Sequence, residues 1–362
     1  MKCSFKKYQL TFKKPVLTSR GSMTHKNGYY ITIENEGVRG IGECSYIEGL
    51  SIDRLDSFEA KLAEVCAAIE DMAAMPDSIG ENTEELVDAL YNTEILPGDL
   101  ASYYPSMLFG IETALLDLCN GGKHEIVRGS EFFAGKQNIP INGLVWMGSD
   151  EFMQQQIEQK LADGFRCIKI KVGAIDFAEE CRLIENMRKR YNPEHIEIRL
   201  DANGAFTEKN VRERLRILSQ YTIHSIEQPV KPQQYLLMHQ LCGEQIISIA
   251  LDEELIGTDQ QEMRVKMLEM IRPQYIILKP SLLGGFASCD EWIDIADTLG
   301  INWWATSALE GNIGLNAIAQ WAASKNTDMV QGLGTGGLYT DNIASPLYME
   351  SGHLKYDPSV AW

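Results

Sequence analysis

The sequence lacks several features that would each have fixed its class at once. It has no apolar run long enough to cross a bilayer, which takes about 20 residues, so a helical membrane protein is not expected. None of its eight cysteines forms a CxxC pair, and most sit in apolar surroundings, as Cys167 does before Ile168. They read as reduced core thiols, not as a zinc site or a disulfide framework. Positive charge is scarce, with 33 basic against 51 acidic residues and a net charge of −18. Nucleic acid and anionic membranes require a basic face, so neither is an expected partner. A small anionic substrate remains compatible, because a buried site can be locally positive on an acidic protein. The opening MKCSFKKYQLTFKKP has no apolar run of the signal-peptide kind, and a cytoplasmic location is expected. Repeats and low-complexity tracts are missing too.

What is present is a long chain of ordinary globular composition, 362 residues with 44% hydrophobic and 23% charged. That length suits one large α/β barrel with a smaller domain, or two domains of ordinary size. The first hundred residues read as α+β. Tyr29–Asn35 and Gly40–Tyr46 are strand candidates around a Glu36-Gly37 turn. Leu55, Phe58, Leu62, Val65 and Ile69 recur at steps of three and four, which predicts an amphipathic helix. A polar stretch follows from Asp77 to Glu85, and a second helix is predicted over Pro105–Leu118.

From Ile139 the rhythm changes. Short β-rich runs begin at Ile141, Cys167, Ile196, Ile223, Ile246, Tyr275, Ile301 and Asp328, with helix-compatible stretches such as Glu151–Ala162 and Phe177–Arg190 between them. A repeat of about 25 to 30 residues per strand and helix is the pattern of a (β/α) barrel, and an open doubly wound sheet has the same spacing. From Thr340 the chain holds Pro346 and Pro358, reads as irregular, and is expected to return to the N-terminal region.

Strand parity carries the chemistry. In CIKIKV, Lys169 and Lys171 share one face and Ile168, Ile170 and Val172 the other. In IEIRLD, Asp201 shares a face with Glu197 and Arg199. Glu227 pairs with Ser225 in IHSIEQ, Asp252 with Ala250 in IISIALD, and Lys279 ends YIILK. The aliphatic faces must meet the helices, so the charges must point into the barrel near the carboxyl ends of the strands, where barrel active sites sit. Buried singly they would be costly, so they should be paired or bind a metal. Asp201, Glu227 and Asp252 lie one βα unit apart on successive strands, and an all-oxygen set suits Mg²⁺ over Zn²⁺. Lys171 and Lys279 flank that set. In a closed barrel they face each other across a metal-bound carboxylate substrate. One takes the α-proton while the other helps to hold the enediolate. A lysine beside Mg²⁺ and a second ammonium should have a lowered pKa, as a base near neutrality needs.

With these residues in place the chain resembles the enolase superfamily, in its muconate-lactonizing-enzyme-like subgroup. The resemblance rests on K-I-K at 169–171, D-A-N at 201–203, E-Q-P at 227–229, D-E at 252–253, K-P at 279–280 with the Leu283-Gly284-Gly285 turn, and E-T-A-L-L-D-L at 112–118. It implies a modified TIM barrel, (β/α)7β, over 136–335, an α+β N-terminal capping domain over 1–135, and a segment over 336–362 that returns to the cap. It implies a Lys base and magnesium as well. Beyond the seventh strand, S-A-L-E-G-N-I-G and G-L-G-T-G-G-L-Y look like those of the superfamily's o-succinylbenzoate synthases, and the D-x-D of dipeptide epimerases is missing. The resemblance then implies loss of water from 2-succinyl-6-hydroxy-2,4-cyclohexadiene-1-carboxylate in menaquinone synthesis. The runner-up is a racemase or epimerase of N-acylated amino acids or dipeptides.

On that resemblance Lys171 is the base, Lys279 stabilises the enediolate, and Lys169 orients the substrate carboxylate and tunes Lys171. Asp201, Glu227 and Asp252 hold Mg²⁺. Ser307, Asn203 and backbone N–H groups near Gly311 and Gly336 contact substrate. Thr18–Gly28 occupies the place of the family's cap loop, where Arg20 and Lys26 meet an anionic substrate or, equally, solvent. The Gly332–Gly337 run matches G-x-G-x-x-G but is not followed by a helix pattern, so a dinucleotide site is not expected. The expected partner is thus a small carboxylate, and a homo-oligomer is compatible with the sequence.

Overall fold

The structure is a computed structural model that describes residues 1–18, 21–71, 98–146 and 148–362. Arg20 and the polar stretch Asp77–Glu85 lie outside the described residues. The N-terminal part is an antiparallel sheet of β1 (Lys2–Thr18), β2 (Gly21–Asn35) and β3 (Val38–Cys44), with α1 (Phe58–Asp71) and α2 (Pro105–Cys119). Both expected strands and both expected helices are there. The strand β1 was not expected. Its buried parity switches from odd (Cys3, Phe5) to even (Leu10, Phe12), and the pairing with β2 shifts register between Thr11 and Val16. Alternation is the signal by which a strand is read, and here it is broken twice.

The sheet meets α2 backbone to backbone. A Cβ at Gly42 would stand 1.8 Å from the Gly110 carbonyl oxygen, and one at Gly40 1.9 Å from that of Ala114. These two positions must be glycine for β3 to lie so close to the helix.

The remainder is a parallel sheet of seven strands in chain order: β4 (Gly143–Val145), β5 (Cys167–Lys171), β6 (Glu197–Asp201), β7 (Ser225–Glu227), β8 (Ile249–Leu251), β9 (Tyr275–Leu278) and β10 (Asn302–Ala305). Of the run at Asp328, just Gln331 and Gly332 pair: Gln331 bridges Ile141 and Gly332 bridges Thr306. Those two bridges join the first and last strands, so the sheet closes and the doubly wound alternative is excluded. The helices are α3 (Asp150–Ala162), α4 (Phe177–Arg190), α5 (Val211–Ser219), α6 (Tyr235–Glu244), α7 (Gln261–Ile271), α8 (Phe286–Leu299) and α9 (Asn312–Ser324). Their starts have local causes. Ser149 accepts the Phe152 N–H ahead of α3, and Asp176 accepts that of Ala178 ahead of α4. The α4 ends carry Glu179 and Glu180 first and Arg188 to Arg190 last, in line with its dipole.

Aliphatic strand residues such as Ile168, Ile198, Leu200 and Ile226 belong to one buried core with helix residues Leu183, Ile184 and Leu215. The barrel floor is different. Ala250, Ile277 and Trp304 form a separate buried cluster, with the Arg199 guanidinium 4.1 Å from the Trp304 ring centroid. Trp303 faces outward against Trp321 of α9. The last segment is not irregular throughout. It makes a hairpin of β11 (Leu347–Glu350) and β12 (His353–Tyr356), and β12 pairs with Ile139 and Pro140. Pro346 and Pro358 flank the hairpin and do not interrupt it, which is where proline is tolerated. Upstream of it, Tyr339 bridges Phe12 and Asp341 accepts the Thr11 N–H at 2.7 Å. Among the described residues no helix is long and apolar enough to cross a membrane.

Candidate active site

The pleat sets the site. Lys171, Asp201 and Glu227 are register partners on β5, β6 and β7, so their side chains emerge from one row on one face. Lys169 lies one pleat deeper. Asp252 and Lys279 follow the last residues of β8 and β9. All six side chains are buried or nearly so. Two turns hold them in place. Gln228 Oε1 accepts the N–H groups of Asp252 and Glu254 at 3.2 Å each, and its Nε2 donates to Glu254 Oε2 at 3.0 Å. The Asn203 N–H donates to Asp201 Oδ1 at 3.1 Å, and its Nδ2 to Glu253 Oε1 at 3.0 Å.

Amines and carboxylates alternate. Lys169 Nζ donates to Glu227 Oε2 at 2.7 Å and lies 3.3 Å from Asp201 Oδ2. Lys171 Nζ donates to Asp201 Oδ2 at 3.0 Å and to Asn203 Oδ1 at 2.6 Å. Lys279 Nζ pairs with Asp252 Oδ2. The three carboxylates are thus turned to lysines. Among the described residues no three acidic, histidine or cysteine side chains stand in the geometry that holds a metal ion. The expected ring of Asp201, Glu227 and Asp252 is brought to one place in the barrel, but not closed around a common point.

Burial and neighbouring charge set the protonation. Burial pushes Glu227 up to about 7, helped by the charges of Asp201 and Asp252 against the pull of Lys169. Asp252 is also raised, mainly by burial. Asp201 is driven well below the carboxylate range, because the three lysines outweigh its burial. Lys169 and Lys279 are both raised: burial alone would lower each, and the surrounding carboxylates win. At Lys279 the raising charges come from Asp252, Glu227 and Glu253.

Whether a hard cation suits this set is tested by Glu227. Its Oε1 is buried with no hydrogen-bond partner, while Oε2 is held by Lys169. An unsatisfied carboxylate oxygen at the centre of an all-oxygen acidic set is costly unless a cation meets it. The donor chemistry fits Mg²⁺.

The cleft above encloses about 1000 Å³, its open mouth included. Lys169, Lys171, Asp201, Asn203, Lys279 and Ser307 line it from the barrel, and Ser22, Met23, Ile47 and Leu50 from the N-terminal part. Of the residues expected to contact substrate, Asn203 and Ser307 line the cleft. Ser307 has its hydroxyl committed, since Oγ donates to Glu310 Oε2 at 2.5 Å and accepts from Thr335 Oγ1 at 2.7 Å. Three expectations are corrected. Gly311 does not line the cleft, and its N–H is taken by Glu43 Oε1 at 2.7 Å. At the last turn Gly334 and Thr335 line the cleft and Gly336 does not. Lys26 meets neither substrate nor solvent: it is 2% exposed and donates to Ser45 Oγ and the Tyr46 carbonyl. Burial brings it down to about 8.

Trp146 was missed as a cleft residue. It stands two pleats above Asn142 with Leu144 between, all three line the cleft, and the Lys171 ammonium lies 6.0 Å from its ring centroid. The parity that found the lysines would have found it in INGLVWM, had polar residues not been the sole guide.

Fold and cleft together are those of a capped α/β-barrel enzyme. The chain belongs to the enolase superfamily: the family model described as enolase C-terminal domain-like matches residues 152–358. It is 45% identical to the o-succinylbenzoate synthase of Desulfotalea psychrophila, with 98% of each chain covered. The crystal structure of MenC from the same organism superposes with a TM-score of 0.85 at 43% identity, covering 98% of this chain and 99% of that one. The L-Ala-D/L-Glu epimerase of Bacillus subtilis superposes with a TM-score of 0.81 at 20% identity, covering 99% of this chain and 97% of the other, which bears on the fold alone.

Proposed function

We propose that the chain is an o-succinylbenzoate synthase. It removes water from 2-succinyl-6-hydroxy-2,4-cyclohexadiene-1-carboxylate in menaquinone biosynthesis, in the cytoplasm. The observation that carries this reading is the row Lys171, Asp201, Glu227 with Asp252 and Lys279 completing it. Two amines flank a buried acidic set at the mouth of a barrel. Likeness over the full length to a synthase of that name supports the choice of substrate.

Asp201, Glu227 and Asp252 would hold Mg²⁺. When bound, the ion would supply a Lewis acid for the substrate carboxylate. Lys171 takes the proton on the carbon bearing the ring carboxylate, and Asn203 Oδ1 keeps its Nζ aimed. Lys279, on the other side of the acidic row, balances the charge that develops on the enediolate. Lys169 is held deeper by Glu227 and Asp201, orients the carboxylate and adds positive charge beside Lys171. Lys171, now an ammonium, returns its proton to the departing hydroxyl. Aromatisation makes that step downhill.

The test is a direct assay in deuterated water. With Mg²⁺ the expected result is conversion of the cyclohexadiene carboxylate to o-succinylbenzoate. Exchange of the α-proton of an N-acylated amino acid or a dipeptide, with no dehydration product, would point to a racemase or epimerase and end this reading.

A further inference from the structure

The start of α9 has the makings of an anion site, with free N–H groups and the helix dipole behind them. It is already filled from within the molecule. Glu43, at the end of β3 and fully buried, accepts the Gly311 N–H on Oε1 at 2.7 Å and the Gly314 N–H on Oε2 at 2.8 Å. The Tyr8 hydroxyl of β1 donates to the same Oε1 at 2.5 Å. A Cβ at Gly311 would lie 3.1 Å from Glu43 Oε2, and one at Gly314 3.2 Å from it. The glycines of the S-A-L-E-G-N-I-G run therefore make room for a carboxylate that arrives from 268 residues away.

That anchor sits behind the cleft wall. Thr306 to Leu309 line the cleft between β10 and α9. Leu309 adopts φ 64°, a left-handed backbone that a branched residue takes only when held. Tyr339 Oη donates to its carbonyl at 2.7 Å, and its own N–H donates to Ser307 Oγ at 3.1 Å. Glu310 accepts the hydroxyls of Ser281 and Ser307 at 2.5 Å each, which ties this wall to the turn after Lys279. Buried Lys26 supplies positive charge to both Glu310 and Glu43.

We propose that Glu43 is a positioning residue for the reaction: from the N-terminal sheet it fixes the start of α9 and with it the strained wall Thr306–Leu309 against which the carboxylate substrate is seated. The inference rests on the function proposed above. It is tested on the full chain with Glu43→Gln, which keeps size but sets an amide N–H against N–H donors, and with Tyr8→Phe, which loses one donor to Glu43. The readouts are kcat and KM per folded enzyme for the cyclohexadiene carboxylate with Mg²⁺, and calorimetric affinity for o-succinylbenzoate.

Glu43→Gln is expected to raise KM and weaken product binding by about tenfold, with kcat within about threefold of the wild type. Tyr8→Phe is expected to shift KM about two- to threefold the same way, and it carries the test if Glu43→Gln does not fold. Unchanged KM and product affinity per folded enzyme, with only the folded fraction reduced, would make Glu43 a structural cap and overturn the proposal. A wild-type enzyme that neither turns over nor binds these compounds would overturn the proposed function as well. Wild-type turnover beside unaltered variants overturns the role of Glu43 alone.

Discussion

Lys171→Ala is expected to lower turnover by a factor of about 10³, the usual worth of a positioned general base, while the chain stays folded and still binds Mg²⁺. The expectation follows from what Lys171 touches. Its Nζ is bonded to Asp201 and Asn203 at the cleft surface, so its loss removes an amine that faces the cleft. Asp201 keeps Lys169 at 3.3 Å, so the acidic row is not left uncompensated. Lys169 cannot take over, because it lies one pleat deeper and is held at 2.7 Å by Glu227. Steady-state turnover, with a magnesium titration and circular dichroism on the same sample, checks this. Turnover within severalfold of the wild type would remove Lys171 as the base.

Stripping magnesium with a chelator is expected to abolish turnover, and adding Mg²⁺ back to restore it. Asp252→Asn should weaken magnesium binding by about tenfold or more, since the affinity of such sites follows the number of charged oxygen ligands. The pH dependence has a definite sign. Glu227, raised to about 7 by burial and its acidic neighbours, is protonated in part of the population near neutrality and must ionise to meet a cation. Magnesium affinity should therefore rise with pH up to about 7 and level off above it. Calorimetric titration across that window measures both effects. An affinity indifferent to Asp252→Asn would take Asp252 out of the ligand set.

How far the sequence could be read depended on whether a signal was local. The barrel strands were legible because lysine and carboxylate alternate with isoleucine and leucine, and period two survives even in a five-residue strand such as Cys167–Lys171. The helix Phe177–Arg190 was legible to the residue because Asp176 caps it and its charges follow the dipole. The strand β1 was not, since its parity flips and a register shift intervenes. The eighth strand shrank to two bridging residues, a choice made by barrel closure and not by the apolar run around them.

At the site, the same alternation brought three charged residues to one row and two more to the ends of the next strands, yet it said nothing of which partner each would take. Gly311 shows the limit most clearly. The family resemblance suggested a ligand contact near Gly311, and the N–H there is taken by Glu43, from a strand that no local pattern connects to it. Lys26 fails for the same reason. Its neighbours in sequence are polar, and its burial against Ser45 and Tyr46, beyond the end of β3, is a contact that no local pattern shows. Trp146 was legible and overlooked.

A crystal structure of the chain with Mg²⁺ and o-succinylbenzoate bears most directly on the arrangement proposed for catalysis. The expected result is one ion about 2.1 Å from a carboxylate oxygen of each of Asp201, Glu227 and Asp252, with Lys171 and Lys279 on opposite faces of the bound ring. An ion held elsewhere, or either amine turned out of the cleft with product in place, would contradict it.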